Sequence, residues 1–312
     1  MENIKIVYMG TPDFSVGPLK NLTKKYDVIA VVTQPDKEVG RKKEIKYSPV
    51  KEFAIQNNKK ILQPIKIKED FKDIIDLKPD IIITCAYGQI IPKDLLEYPK
   101  YGCINIHASL LPKLRGGAPI HKAIINGYDK TGVTIMYMDE KMDSGDIIYQ
   151  KEVIIDENDN AGTLFDKLSI LGSDMIIEIL PSIISGENKR IKQDENEVTF
   201  AYNITREEEK IDFNKPTKDV YNQIRGLYPW PVGYSILDGK KVKIFESLKG
   251  TSNKEGTPGE IINVYKDSIG VKTLDGEILL LSIQFEGKKR ISVKDYLNGI
   301  KDKNSIIGKI FI

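Results

Sequence analysis

Asn105 and His107 lie two residues apart in the run Cys103-Ile104-Asn105-Ile106-His107, and His107 is one of only two histidines in the chain. An extended strand sends alternate side chains to opposite faces, so the amide and the imidazole project from the same face. An imidazole moves protons near neutral pH, and an amide beside it can donate to a developing oxyanion, often worth a few kcal/mol. A carboxylate would complete the set by orienting the ring. Met142-Asp143-Ser144-Gly145-Asp146 offers Asp143 and a rival, Asp146, in a loop short enough to fold over the strand end. No serine or cysteine is placed as an obvious covalent nucleophile, so the set suits acyl transfer to an amine by direct attack. A lone histidine would more often be a satisfied core residue. The paired Asn105 weighs against that reading here, as does the loop that follows, which turns through Pro112 and Gly116-Gly117 before Pro119.

Other chemistries lack their residues. Gly10-Thr11-Pro12-Asp13-Phe14-Ser15 follows an apolar strand, but it has only the first glycine of a dinucleotide-binding turn, so a pyrophosphate could not approach the backbone. The chain contains no G-x-x-x-x-G-K-[ST] phosphate loop, no G-x-S-x-G elbow, no Cys-x-x-Cys and no His-Glu-x-x-His. Neither a metal nor a disulfide is expected. Cys85 and Cys103, the two cysteines, fall in apolar strands where a thiol behaves as a small hydrophobe.

The elements that must position Asn105 and His107 alternate strand and helix over the first 190 residues. Strands are expected at 4–9, 28–33, 61–62, 80–85 and 103–107, and helices at 12–25, 49–57, 68–77 and 92–97. Continuous apolar strands separated by helices imply a parallel sheet covered on both faces. Chemistry in such sheets gathers at the carboxyl ends of the strands, where His107 lies. Residues 131–138 and 146–155 then form an antiparallel ribbon on the sheet's edge, and a helix over 161–185 closes the domain at Gly186. Residues 187–206 are polar and aperiodic, which reads as a linker. After a helix near 218–227 come short strands separated by turns such as Asp238-Gly239 and Asp275-Gly276, the spacing of a small barrel.

With 312 residues, 40% hydrophobic and 29% charged, the composition is that of a soluble globular protein of two domains. No uninterrupted apolar run approaches the roughly 20 residues of a membrane span, and Met1-Glu2-Asn3 lacks a basic leader region, so a cytoplasmic location is expected. Net charge is +2. It is unevenly spread: residues 206–312 hold 19 Lys and Arg against 15 Asp and Glu, and the first 205 hold 28 against 30. A mildly basic second half fits an anionic partner, although a bias this small is usually just a solvated surface.

Asn105-Ile106-His107-Ala108-Ser109-Leu110-Leu111-Pro112, with Asp143 in its Met-Asp-Ser-Gly-Asp loop, resembles the signature of the 10-formyltetrahydrofolate-dependent formyltransferases. Gly10–Phe14, Thr33-Gln34-Pro35-Asp36, Pro229-Trp230-Pro231 and Glu286-Gly287-Lys288-Lys289-Arg290 are similar to the members of that family that act on methionyl-tRNA. The likeness spans nearly the whole chain. It implies a Rossmann-like catalytic domain over 1–189, a linker over 190–206, and a barrel of the oligonucleotide-binding type over 207–312. The implied catalytic set is Asn105, His107 and Asp143. Folate, the formyl donor, is then expected across Ser109, Leu110, Leu111 and Pro112, with backbone near Gln89 and Ile90 lining the pterin pocket. The basic stretch 34–48 would enter the acceptor arm of initiator tRNA through Arg41, Lys42 and Lys43, although most basic loops are merely solvated. Arg115 is read as a substrate contact or a loop anchor, His121 as structural, Trp230 as a packing residue, and the chain as a monomer. The rival reading replaces tRNA with a nucleotide-linked amino sugar. A non-catalytic RNA-binding protein on the same fold is disfavoured by the intact trio.

Overall fold

A computed structural model describes residues 4–39 and 43–312. In chain order the first part forms β1 (Lys5–Gly10), α1 (Val16–Lys25), β2 (Asp27–Val32), β3 (Lys37–Val39), β4 (Glu44–Lys46), α2 (Pro49–Gln56), β5 (Ile61–Leu62) and α3 (Lys72–Ile75). There follow β6 (Ile81–Cys85), α4 (Lys93–Glu97), β7 (Cys103–His107), α5 (Pro119–Ile125), β8 (Lys130–Tyr137), β9 (Ile147–Ile154) and α6 (Ala161–Ser185). Seven strands make one sheet in the order β5-β2-β1-β6-β7-β8-β9. The first five run parallel, while β8 and β9 are antiparallel, which is the edge ribbon anticipated from the two β-rich runs.

The strands that bear the site are buried on both faces: every residue of β6 is inaccessible, and Ile104 and Ile106 of β7 are buried under helices. α6 is the one described helix long and apolar enough to cross a membrane by length and composition. Its apolar side instead covers the sheet. Leu168, Met175, Ile176 and Leu180 are fully buried, and Gly172 lies so near β7 that a Cβ there would meet Ile106 Cγ2 at 3.0 Å. Local signals set the boundaries. Ser48 caps α2 by accepting from Lys51 N, with Pro49 in the first turn where its missing N–H costs nothing. Gly10 ends β1 because Ser15 fills the space a side chain would take, donating its hydroxyl to Cys85 O.

The stretch 34–48, read from sequence as a loop, contains a two-stranded antiparallel ribbon: Lys37 pairs with Lys46, Glu38 with Ile45 and Val39 with Glu44. Its base is fastened by Lys51, which donates to Asp36 at 2.5 Å and to Gln63 at 2.8 Å, holding the Asp36 carboxyl below its ordinary pKa.

Contacts divide the chain into two compact units, and neither is continuous in sequence. The first holds 1–119, 130–154 and 165–202; the second holds 120–129, 155–164 and 203–312. The second unit contains α7 (Thr217–Leu227), β10 (Tyr234–Leu237), β11 (Lys240–Lys249), β12 (Ile261–Val264), β13 (Ile269–Lys272), β14 (Glu277–Phe285), β15 (Ile291–Ser292) and α8 (Val293–Asn298). Its antiparallel sheet runs β10-β11-β14-β13-β12, with β15 paired to β14. Asp238 and Gly239, both at positive φ, make the tight β10–β11 turn. The chain end curls the sheet toward a barrel: Ile312 exchanges two backbone hydrogen bonds with Ile236 of β10, and Phe311 N donates to Gly259 O ahead of β12. Val220, Ile224 and Leu227 of α7 plug the inside. In the same unit His121 Nδ1 donates to Gly226 O at 2.8 Å, and its ring meets Trp230 edge-on at 6.0 Å. Burial pushes the His121 pKa down, so this second histidine is a neutral packing group.

Candidate active site

β7 delivers Asn105 and His107 to the carboxyl edge of the sheet, and the two side chains meet Asp143 there. His107 is 6% exposed, and its Nδ1 lies 3.7 Å from Asp143 Oδ2. Its Nε2 is 3.0 Å from Leu114 O. A carbonyl only accepts, so Nε2 carries hydrogen and Nδ1 turns toward the carboxylate. A ring protonated on both nitrogens would face an acceptor at each.

Asn105 is oriented from behind. Thr84, its neighbour in β6, places Oγ1 2.8 Å from Asn105 Oδ1, and Asn105 Nδ2 then points at Asp143 Oδ1, 3.4 Å away. Reversing the amide would set its oxygen against the carboxylate, so the two contacts agree on one orientation. Asp143 is held by Gly116, whose N–H donates to Oδ2 at 2.8 Å, and its backbone is left-handed at φ +51°. Asp146 turns away: its Oδ2 accepts from Arg190 Nε at 3.1 Å. Of the two candidate carboxylates, only Asp143 joins the pair.

The loop after β7 is fixed from within. Ser109 is fully buried and donates to Lys113 O at 2.6 Å. Thr134 Oγ1 donates to Ser109 O and accepts from Leu111 N, and Gln150 Nε2 reaches Leu111 O at 2.8 Å. Leu111 is buried beside Met136 and Ile147, while Leu110 and Pro112 are half-buried. Gln89 is also engaged, accepting from Ile67 N at 2.9 Å, and Ile90 is exposed. Gln34 donates to Tyr87 O at 3.0 Å, which ties the 86–91 turn to the end of β2.

Arg115 is a loop anchor. Its buried guanidinium donates to Gln193 Oε1 and to both oxygens of Glu195, holding the Glu195 carboxyl below its ordinary pKa. Lys43 is exposed, 3.7 Å from Glu38, at the start of the returning ribbon strand; Arg41 and Lys42 lie outside the described residues. Burial pushes the Cys85 and Cys103 thiols up to about 12, so neither offers a thiolate. Among the described residues no group of three or more His, Cys, Asp or Glu is placed to hold a metal ion.

Thr84 and Gln193 were not singled out from the sequence, and Gly116 was read only as part of a turn. Thr84 could have been, as the one polar residue in Ile81-Ile82-Ile83-Thr84-Cys85 beside the Asn105 strand.

Residues 4–180 match the formyl transferase family, and residues 203–301 match the formyl transferase C-terminal domain. The chain belongs to the formyl transferase family. Among curated members, the methionyl-tRNA formyltransferase of Staphylococcus aureus (strain MW2) is 50% identical over 311 residues, covering 99% of each chain. That of Bacillus velezensis is 52% identical, covering 95% of this chain and 94% of the other. Solved formyltransferase structures share the fold at lower identity. The sugar 3N-formyl transferase WlaRD superposes with a TM-score of 0.65 at 24% identity, covering 93% of this chain and 100% of that one. An N-formyltransferase from Helicobacter canadensis gives 0.67 at 23% identity, covering 89% and 98%.

Proposed function

We propose that this formyl transferase moves the formyl group of 10-formyltetrahydrofolate to the α-amino group of methionine on initiator tRNA, in the cytoplasm, giving N-formylmethionyl-tRNA. The 50% identity along 99% of the chain with a methionyl-tRNA formyltransferase carries this reading. The two sugar-type formyl transferases described above are 23–24% identical, a level that speaks to fold alone.

The side chains supply a coherent route. The free amine attacks the formyl carbon; a nitrogen–carbon bond forms, and negative charge collects on the formyl oxygen. Asn105, its amide already turned by Thr84, is the donor for that oxyanion. Leu114 O holds the His107 tautomer with hydrogen on Nε2, leaving the Nδ1 lone pair to receive the ammonium proton. Asp143, 3.7 Å from Nδ1, then faces the imidazolium it stabilises. His107 returns the proton as the bond from carbon to the folate nitrogen breaks. The pair is balanced without a covalent enzyme intermediate. The loop Ser109-Leu110-Leu111-Pro112, with Leu110 and Pro112 half-buried, and the backbone near Gln89 and Ile90 are the proposed folate contacts, and Arg41, Lys42 and Lys43 the proposed tRNA contacts.

The deciding experiment supplies 10-formyltetrahydrofolate with either methionyl-tRNA or an amino-sugar nucleotide. Formylation of methionyl-tRNA is expected at a kcat/KM at least 1000-fold higher, an order-of-magnitude figure for a site built around one acceptor. Preference for the sugar would overturn the reading.

A further inference from the structure

The polar stretch after α6 lies along the active-site loop. Ile191 pairs with Ile147 at the start of β9, and Leu114 N donates to Thr199 Oγ1 at 2.9 Å. Arg115 N donates to Thr199 O, Ala201 N to Arg115 O, and Ala118 N to Ala201 O, all within 2.9 Å. Residues 191–201 are therefore bonded to the same loop that presents Leu114 O to His107 and Gly116 N to Asp143.

Gln193 is the point where this strap reaches the chemistry. Its Nε2 donates to Asp143 O at 2.8 Å and to Gly145 O at 2.9 Å. Its Oε1 accepts twice from the buried Arg115, from Nε at 3.0 Å and Nη2 at 2.8 Å. Every hydrogen-bonding group of the carboxamide is engaged, and the guanidinium fixes which end faces the Asp143 turn. That turn needs holding. Asp143 sits in the left-handed region that non-glycine residues avoid, and such a conformation persists only when its surroundings determine it. If the Asp143 backbone relaxed, its carboxylate would leave Nδ1 of His107 and Nδ2 of Asn105 together.

Building on the formyl-transfer reading, we propose that Gln193 is a positioning residue for the reaction: by clamping the carbonyls of Asp143 and Gly145 it holds the Asp143 carboxylate against His107 and Asn105. Gln193 acts through the Asp143 turn.

The test is a double-mutant cycle in single-turnover formylation of methionyl-tRNA. Gln193→Met keeps length and volume but loses both donors and the acceptor; Gln193→Glu keeps the shape and turns an acceptor toward two carbonyls. Each is expected to lower the formylation rate about 10- to 100-fold, with KM for methionyl-tRNA and for 10-formyltetrahydrofolate within about 3-fold of wild type. In an Asp143→Asn background, where the carboxylate is already lost, adding Gln193→Met should cost less than about 2-fold. An equal loss in both backgrounds would show a general structural role and overturn the proposal, as would an unchanged rate in the Gln193 variants. If Gln193→Met does not fold, Gln193→Glu runs the same cycle. Failure of wild type to formylate methionyl-tRNA would strike the acceptor assignment instead; the cycle, repeated with the acceptor it does use, still decides the role of Gln193.

Discussion

At the scale of single residues, the site is a set of choices forced on flexible groups. An amide can face either way, an imidazole can carry its proton on either nitrogen, and a carboxylate can swing. Here Thr84 settles the first, Leu114 O the second and Gly116 N–H the third. Thr84 has one proton and three acceptors in range, Asn105 Oδ1 at 2.8 Å, Met138 Sδ at 3.2 Å and Ile104 O at 3.3 Å; the shortest contact, to the Asn105 amide, is the one that matters for the chemistry. Thr84→Val keeps the branched shape of a buried strand residue and removes only the hydroxyl. We expect kcat to fall about 5- to 13-fold, corresponding to the roughly 1–1.5 kcal/mol of one hydrogen bond, while KM for folate stays put. His107→Ala, which removes the proton carrier itself, should lose at least 100-fold. Steady-state kinetics of the two variants side by side checks the order, and a Thr84→Val enzyme with wild-type kcat would mean that Asn105 orients itself.

Elements decide whether those residues meet, and they differ in how openly the sequence declares them. α6 was legible from end to end because a long apolar stretch stops at Gly186, and β7 because a period of two separates Ile104 and Ile106 from Asn105 and His107. The β3–β4 ribbon was not, since its described side chains are exposed and leave no pattern: Ile45 is 68% exposed and its neighbours are charged. α3 is only Lys72–Ile75, shorter than the expected 68–77, with Ile74 as its one buried residue. The strap at 191–201 left no hydrophobic period either, because it is joined to the active-site loop by backbone bonds, which any side chains permit, and by the polar side chains of Gln193, Glu195 and Thr199. At Gly116 loop and strap lie close together. It has φ +122°, and a Cβ there would come within 2.7 Å of Ala201 O. A carbonyl in a bonded strap cannot yield as a flexible side chain could. Gly116→Ala should therefore push loop and strap apart, carry the Gly116 N–H away from Asp143, and cost about 2–4 kcal/mol of stability along with most of the activity. Denaturant unfolding and formylation rate measured on the same sample test this; a variant of wild-type stability would show that the close approach is relaxed in solution.

For the molecule as a whole, the acceptor is far larger than the site, so affinity for tRNA must come from elsewhere than Asn105, His107 and Asp143. Net charge is too small to draw a polyanion by itself, +2 over 312 residues. Local concentration of charge has to do it, and the ribbon is one such place: Lys37 and Lys46 oppose each other in register, Lys43 is exposed, and the sequence adds Arg41 and Lys42 between them. Like charges paired across exposed strands repel, which costs the free protein a little; under the proposed tRNA contact, phosphates would relieve that repulsion. A cation that meets one phosphate changes both affinity and its dependence on salt, since each contact releases condensed counterions. Arg41→Ala is thus expected to lower kcat/KM for methionyl-tRNA about 10-fold at low ionic strength and to flatten the plot of log kcat/KM against log salt by close to one unit. The two effects must travel together. A loss of affinity with the slope unchanged would point to a contact with a base or to altered ribbon geometry, and no loss at all would remove the ribbon from the tRNA surface. KM for 10-formyltetrahydrofolate serves as the internal control, because a change there would mean that the substitution had reached the catalytic end of the sheet instead of the RNA.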